Sequence, residues 1–256
     1  MEEGLITTRE KNECMKTLCL DFGNTRLKYA LFEADRLMET AVLADGGPGT
    51  MREVLEKHRP DKAILSSVIA HDPDTEALLA GACRFHRLSH ETKLPITVPV
   101  GQPEEMGADR LALAAAAVHF FPGKNNLVIG LGTAITYNFI NQYNQFMGGA
   151  ISPGMEMRFK SLHDYTALLP LIKKGWDFPL VGYDTRTNIL SGVVMGMAKE
   201  IDGMIGAHAE KYDNFNAVLT GGDNGYFAGL LKNRIFADSD FLFKGLYAIS
   251  ETNNKL

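Results

Sequence analysis

Two segments of the chain carry nearly the same short pattern, and together they limit the folds open to it. The first is TLCLDFGNTRLKYALFE, Thr17 to Glu33, and the second is NNLVIGLGTAITYNFI, Asn125 to Ile140. Each reads as a buried apolar strand, a tight glycine turn and a second strand. The two copies stand roughly 110 residues apart, too far for a solenoid repeat, and each opens a run of alternating helical and β-branched segments. That arrangement predicts two related α/β domains in a chain of 256 residues.

The intervening segments fit the plan. Leu37 to Leu43 adds a third strand, and Met51 to His58 has helical spacing after the turn-rich DGGPGT. AILSSVIA, Ala63 to Ala70, is a short apolar run suited to a buried parallel strand, followed by a helix over TEALLAGAC and an extended FHRLS. GADRLALAAAAVHFFPG predicts an alanine-rich helix closed by Pro122-Gly123, and NAVLTGGD supplies another buried strand in the second half. The expected organisation is a loosely ordered extension over residues 1–16, a first domain over 17–123 and a second over 124–256. Met157, Leu162, Leu168 and Leu169 are expected to pack inward, and the methionine-rich VVMGMAKEIDGMIG reads as a core or dimer helix.

Composition excludes several function classes. Hydrophobic residues make up 45% and charged residues 22%, as in an ordinary globular protein, and the net charge of −5 argues against a nucleic-acid partner. Cys14, Cys19 and Cys83 are too few and too irregularly spaced for a zinc site or a disulfide framework, which points to a reducing cytoplasm. The first residues, MEEGLITTREKNECMK, lack the apolar stretch of a signal peptide, and no later run approaches a membrane span in length.

The hairpin turns have chemical potential. Gly23-Asn24-Thr25 and Gly132-Thr133 let main-chain N–H groups approach an anion closely, with a hydroxyl or amide as a further donor. Asp21, just ahead of the first turn, suits phosphate chemistry only with Mg²⁺ or water interposed. Such turns are also ordinary β-turns, but two at matching places favour a shared phosphate role. VLTGGDNG ends an apolar strand in Gly221-Gly222, a surface without side chains on which an adenine or ribose can lie, or a close strand-to-helix turn. Neither the Walker A pattern nor the protein-kinase signatures occur.

Taken in order, LDFGNTRLKYALFE, ILSSV, GADRLA, GTAITYNFI, GGAISPGMEMRFKSLHDYTALLPL, TNILSG and LTGGD resemble the motifs of type III pantothenate kinase, from about residue 17 to 250. The resemblance implies membership of the actin-like and sugar-kinase superfamily: two ribonuclease-H-like domains with an intervening cleft. It implies a homodimer that phosphorylates pantothenate with ATP, the first step toward coenzyme A, using Mg²⁺ and a monovalent cation, K⁺ or NH₄⁺.

Carried over position by position, the resemblance makes Asp21 the metal and phosphate organiser and Asp109 the base that takes the proton from the pantothenate hydroxyl. Gly107, Ala108, Asp109 and Arg110 then form the substrate motif, with Arg110 on the substrate carboxylate or neighbouring oxygens. Thr185 reaches the substrate from the second subunit. Gly23, Asn24, Thr25, Lys28, Gly132 and Thr133 serve the phosphates, and Gly221 and Gly222 the adenosine. Read from the residues alone, Asp109 also suits the first turn of a helix, where a carboxylate favours the dipole, and Lys28 suits a solvated strand face. His163 receives no role.

Three positions depart from the family pattern. Gly130 stands where the second hairpin carries an aspartate near the monovalent-cation site, Asn138 where another acid is common, and Val100 in place of a substrate-side tyrosine. The departures leave two alternatives beside the working pantothenate kinase: a weakened homologue binding nucleotide or pantothenate for regulation, and a kinase for another small hydroxy acid.

Overall fold

Strand β1 (Lys16–Phe22) begins the fold because its side chains alternate between two buried faces. It runs antiparallel to β2 (Leu27–Glu33), which pairs antiparallel with β3 (Arg36–Val42). On its other side β1 pairs parallel with β4 (Lys62–Ser67), and β4 pairs parallel with β5 (Arg84–Arg87), giving the order β3-β2-β1-β4-β5. The computed structural model describes residues 15–99, 101 and 103–253; Cys14, Val100 and nearly all of the expected N-terminal extension therefore lie outside the described residues.

The second half repeats this topology. β6 (Asn125–Leu131), β7 (Ala134–Ile140) and β8 (Phe146–Pro153) form an antiparallel meander. β9 (Phe215–Gly221) and the short β10 (Phe236–Ala237) add parallel strands beside β6. The order β8-β7-β6-β9-β10 matches the first sheet strand for strand. Two such sheets in one chain are the ribonuclease-H-like duplication.

In the first sheet, alternation divides the core in two. Leu18, Leu20 and Phe22 of β1 face α1 (Pro48–His58) and α2 (Pro73–Ala82), where Met51, Val54, Leu55 and Leu79 are buried. Cys19, Ala30 and Ile64 face α3 (Ala108–Phe120) and the last helix, Phe241–Asn253. The small side chains of α3 allow a close crossing there: a Cβ on Gly245 would lie 2.1 Å from the carbonyl oxygen of Ala112.

Around the second sheet, α4 (Met155–Asp164), α5 (Thr185–Leu190), a π-helical turn (Ser191–Met195) and α6 (Gly196–Lys211) cover Leu127, Ile129 and Leu131. α7 (Asn224–Phe227) and α8 (Phe241–Asn253) complete the described α-helices, and a 3-10 turn spans Pro103–Glu105.

The chain divides into two compact units, one running to Phe120 and resumed from Leu242, the other Phe121–Phe241. The C-terminal helix α8 thus packs in the first unit, where the sequence alone left it with the second. The reason is its apolar face, Phe243, Leu246 and Ile249, which buries against Cys19, Ile64 and the alanines of α3.

Two packing expectations fail. Met157 is 46% exposed and Leu168 is 92% exposed, because α4 buries Met155, Phe159 and Leu162 on one stripe and Met157 points away from it. Leu162 and Leu169 do pack against the core, and His163 accepts a structural part, its Nδ1 lying 2.8 Å from the Leu169 carbonyl oxygen.

Candidate active site

Asp21 is the next-to-last residue of β1, on the face that Cys19 shares and that α3 covers. Its register partners are Lys28 on β2 and Ser66 on β4, so a lysine and a serine flank it on the same side of the sheet. Asp109 opens α3 over that face. Its Oδ1 accepts a hydrogen bond from the Arg110 main-chain N–H at 2.9 Å. A Cβ on Gly107 would stand 2.6 Å from the same oxygen, so a side chain at 107 would displace the carboxylate. Asp109 thus bonds a first-turn N–H of the helix, and its charge also acts on Asp21.

Electrostatics ties the two acids together. Burial, then the charge of Asp109, push the Asp21 carboxyl up to about 7, with Lys28 opposing. Burial also raises Asp109, against the lowering effect of its main-chain hydrogen bond and of Arg110. Repulsion within such a pair is borne by the group that ionises second, here Asp21. Arg110 is half-buried, which lowers its pKa while Asp109 supports its charge. Ser66 is buried beside Asp21, and its Oγ has no hydrogen-bond partner.

This donor set suits Mg²⁺. Two carboxylates that disfavour each other's ionisation and an unsatisfied hydroxyl would all gain from a hard cation. Among the described residues no group of three or more His, Cys, Asp or Glu side chains could hold a metal. A protein cage is therefore not offered; one or two carboxylates, water and nucleotide phosphates are the fitting shell.

The turns following β1 and β6 differ in detail. Gly23 N–H donates to the Arg26 carbonyl oxygen at 3.2 Å, whereas Gly132 N–H donates to that of Ala134 at 3.1 Å. Asn24, Thr25, Gly132 and Thr133 are exposed at the turn tips. Gly154, at the N-terminus of α4, braces the second turn: its N–H donates to the Thr133 carbonyl oxygen at 3.1 Å. A Cβ there would lie 2.3 Å from the Gly132 carbonyl oxygen.

Gly221 ends β9 opposite Leu131, with φ of 97° and its would-be Cβ 2.3 Å from the Leu131 carbonyl oxygen. Only glycine fits that position. Gly222 has open space around it. The Gly132 turn and Gly221-Gly222 therefore lie at the carboxyl ends of adjacent parallel strands, the usual ligand edge of an α/β sheet.

Gly130 occupies in β6 the register place of Asp21 in β1, flanked by Thr136 and Thr220 where Asp21 has Lys28 and Ser66. Thr220 Oγ1, like Ser66 Oγ, is buried without a partner. Asn138 is fully buried and donates from Nδ2 to the Val128 carbonyl oxygen and to Thr136 Oγ1, each at 3.1 Å, a bonding pattern an ionised aspartate cannot supply. Thr185 is exposed at the first position of α5, while its neighbours Asp184 and Thr187 form a capping box.

The fold thus gathers Asp21, Lys28, Gly107, Asp109 and Arg110 in the first unit, and the Gly132 and Gly221 turns in the second. Ser66, Thr220 and the bracing Gly154 escape a sequence reading, although all three stand in family motifs, ILSSV, LTGGD and GGAISPGMEM. Their places in those motifs, with a hydroxyl residue near the end of an apolar strand in the first two, are the signals that could have found them.

A sequence model of the family described as Type III pantothenate kinase matches residues 17–207. The chain belongs to that family. Its function is accordingly ATP-dependent phosphorylation of pantothenate, the first step toward coenzyme A. Among its relatives, the type III pantothenate kinase of Christiangramia forsetii is 42% identical over 238 residues, covering 92% of this chain and 98% of the relative.

Among solved structures, a Campylobacter jejuni protein assigned to the Baf family of transcriptional activators superposes with a TM-score of 0.61 at 20% identity, covering 93% of this chain and all of the other. The activator of 2-hydroxyisocaproyl-CoA dehydratase from Clostridium difficile, with bound ADPNP, gives 0.50 at 13% identity, covering 93% and 95%. At such identities these likenesses speak for the fold, which is that of the actin-like ATPases.

Proposed function

We propose that the kinase of this chain uses Asp109 as its general base and Asp21 as the organiser of metal and phosphates. The observation that carries the assignment is the placement of Asp21 on the sheet face that α3 covers and of Asp109 in the first turn of α3, with the charge of Asp109 acting on Asp21 and the pKa of each raised. A base with a raised pKa holds the hydroxyl proton of pantothenate better near neutrality than an ordinary carboxylate does. Arg110, adjacent and half-buried, presents a planar fork to the substrate carboxylate. Gly107 and Ala108 supply the backbone that admits substrate beside Asp109.

Lys28 and the turns Gly23-Asn24-Thr25 and Gly132-Thr133 bind the phosphates, the glycine N–H groups closing each turn and the residues at its tip facing the nucleotide, and Gly221-Gly222 bind the adenosine. The ADPNP carried by the Clostridium difficile activator supports a nucleotide in this role. Mg²⁺ bound with ATP neutralises charge on the transferring phosphoryl group. A monovalent cation, K⁺ or NH₄⁺, binds near Gly130, a reading supported by the unpartnered Thr220 Oγ1.

The working enzyme is a homodimer in which Thr185 reaches the partner's substrate. Support comes from an exposed apolar segment: Tyr165 at 90%, Leu168 at 92%, Val181 at 81% and Tyr183 at 80% exposure. That concentration asks for a cover, and a second copy supplies one. Among the described residues no helix is long and apolar enough to cross a membrane, and the compartment that fits a coenzyme A pathway enzyme is the cytoplasm.

The test is ADP release with pantothenate, Mg²⁺ and K⁺, NH₄⁺ or Na⁺. Asp109→Asn should lower kcat by roughly 10²-fold or more with nucleotide affinity nearly unchanged. Unchanged turnover would return Asp109 to a capping role alone.

A further inference from the structure

The strand end that carries Ser66 toward Asp21 carries the next residue, Ser67, to the opposite face. There Ser67 Oγ lies 3.1 Å from His71 Nδ1 and 2.9 Å from the Ile69 carbonyl oxygen, with its one hydroxyl proton shared between these two acceptors. His71 Nε2 donates to Glu76 Oε1 at 2.8 Å, and Arg87 Nη1 stands 3.1 Å from the same oxygen. The imidazole meets Phe22 edge-on, centroids 5.4 Å apart, and its side chain is only 6% exposed. A polar chain from Ser67 through His71 and Glu76 to Arg87 thus locks the turn after β4 onto α2 and β5.

The turn needs such a lock. Ile69, Ala70, His71, Pro73, Glu76 and Arg87 line a depression of about 230 Å³ that opens to the surface, so on that side the turn has solvent instead of packed side chains to hold it. On its near side the turn borders the reacting groups. Val68 N–H donates to the Phe22 carbonyl oxygen at 3.1 Å, one residue past Asp21. Val68 Cγ1 comes within 3.9 Å of where a Cβ on Gly107 would be, beside the Asp109 carboxylate.

We propose that His71 is a positioning residue: through Ser67 it holds the Ser66–Val68 strand end against Gly107 and Asp109, and so shapes the pantothenate side of the site. The proposal rests on the reading of Asp21 and Asp109 as the reacting carboxylates. His71 touches neither acid; its effect is transmitted by the strand end, which has Ser66 on one face and Ser67 on the other.

The experiment compares His71→Phe, which keeps a ring against Phe22 but removes both nitrogen bonds, with Ser67→Ala, the double variant and His71→Asn. Asp109→Asn is assayed in parallel. Loss of guidance at the substrate wall should raise the KM for pantothenate about tenfold in His71→Phe, with the KM for ATP within about twofold of wild type. Ser67→Ala should do the same, the double variant no more than either single, since both remove one link. His71→Asn, whose amide can reach Ser67, should recover part of the loss.

Equal changes in both KM values, additive effects, or a fall in thermal midpoint with unaltered kinetics would overturn the proposal. If His71→Phe does not fold, Ser67→Ala and His71→Asn carry the same comparison. Full activity in Asp109→Asn would overturn the underlying reading of the acids, an outcome separate from a null result at His71.

Discussion

Asp21→Asn tests the electrostatics of the site without reference to turnover. A carboxyl whose pKa in the folded chain is raised keeps its proton longer there than in the unfolded chain. Its contribution to stability is therefore lost as pH rises from 3.8 through about 7. Above that window the folded protein holds a desolvated anion facing Asp109. The distance from 3.8 to about 7 corresponds to about 4 kcal/mol at about 1.4 kcal/mol per pH unit. Relaxation and water at a half-buried group bring the expected cost to about 1–3 kcal/mol.

Asparagine has nearly the same shape and no charge, so the substitution removes this cost at high pH and nothing at low pH. In metal-free, nucleotide-free protein, Asp21→Asn should melt roughly 3–8 °C above wild type at about pH 8. The difference should shrink toward zero as the pH approaches 4. Calorimetry or dye-monitored melting across that range reads it directly. A variant less stable than wild type at pH 8, or an offset independent of pH, would refute the argument. The same variant should lose kinase activity, since the group that destabilises the free protein is the one assigned to metal and phosphates.

Gly154→Ala drives a methyl group into the carbonyl oxygens of the Gly132-Thr133 turn; it should cost about 1–3 kcal/mol in stability and raise the KM for ATP more than that for pantothenate. Gly130→Asp restores the acid that the family pattern expects. Because Gly130 is not among the positive-φ residues, left-handed strain does not oppose the change, and the K⁺ or NH₄⁺ concentration for half-maximal rate should fall. A folded variant with unaltered cation response would mean that Gly130 is not an empty acid position. Leu168→Glu, at a residue 92% exposed, should leave the monomer fold intact by circular dichroism but shift sedimentation toward monomer; an unchanged dimer would place the interface elsewhere.

Much of the fold was legible because its signals are local. The apolar strand before each glycine turn, the alternation after it and the alanine run of α3 each follow from neighbouring residues, and the matched hairpins announced the duplication. The residues of the first site were legible through family motifs. Their interaction was not, since Asp21 and Asp109 are separated by most of a unit and the charge of one reaches the other only because α3 packs on the face of β1 that carries Asp21. Met157 and Leu168 misled for a related reason: hydrophobicity states a preference for burial but not which stripe of a helix, or which molecule, will satisfy it.

By itself, then, the sequence determined two glycine-turn hairpins, the α/β alternation between them, and which residue types stand at each turn. Those features are set by backbone preference and side-chain periodicity over a few residues. Tertiary structure decided the rest: that α8 packs in the first unit, that Gly130 and Thr220 share a register place with Asp21 and Ser66, and that His71 bridges Ser67 to Glu76. Each depends on strand register and helix packing between distant segments, where one residue of slip would turn Asp21 to the opposite face of its sheet and dissolve the pair of acids.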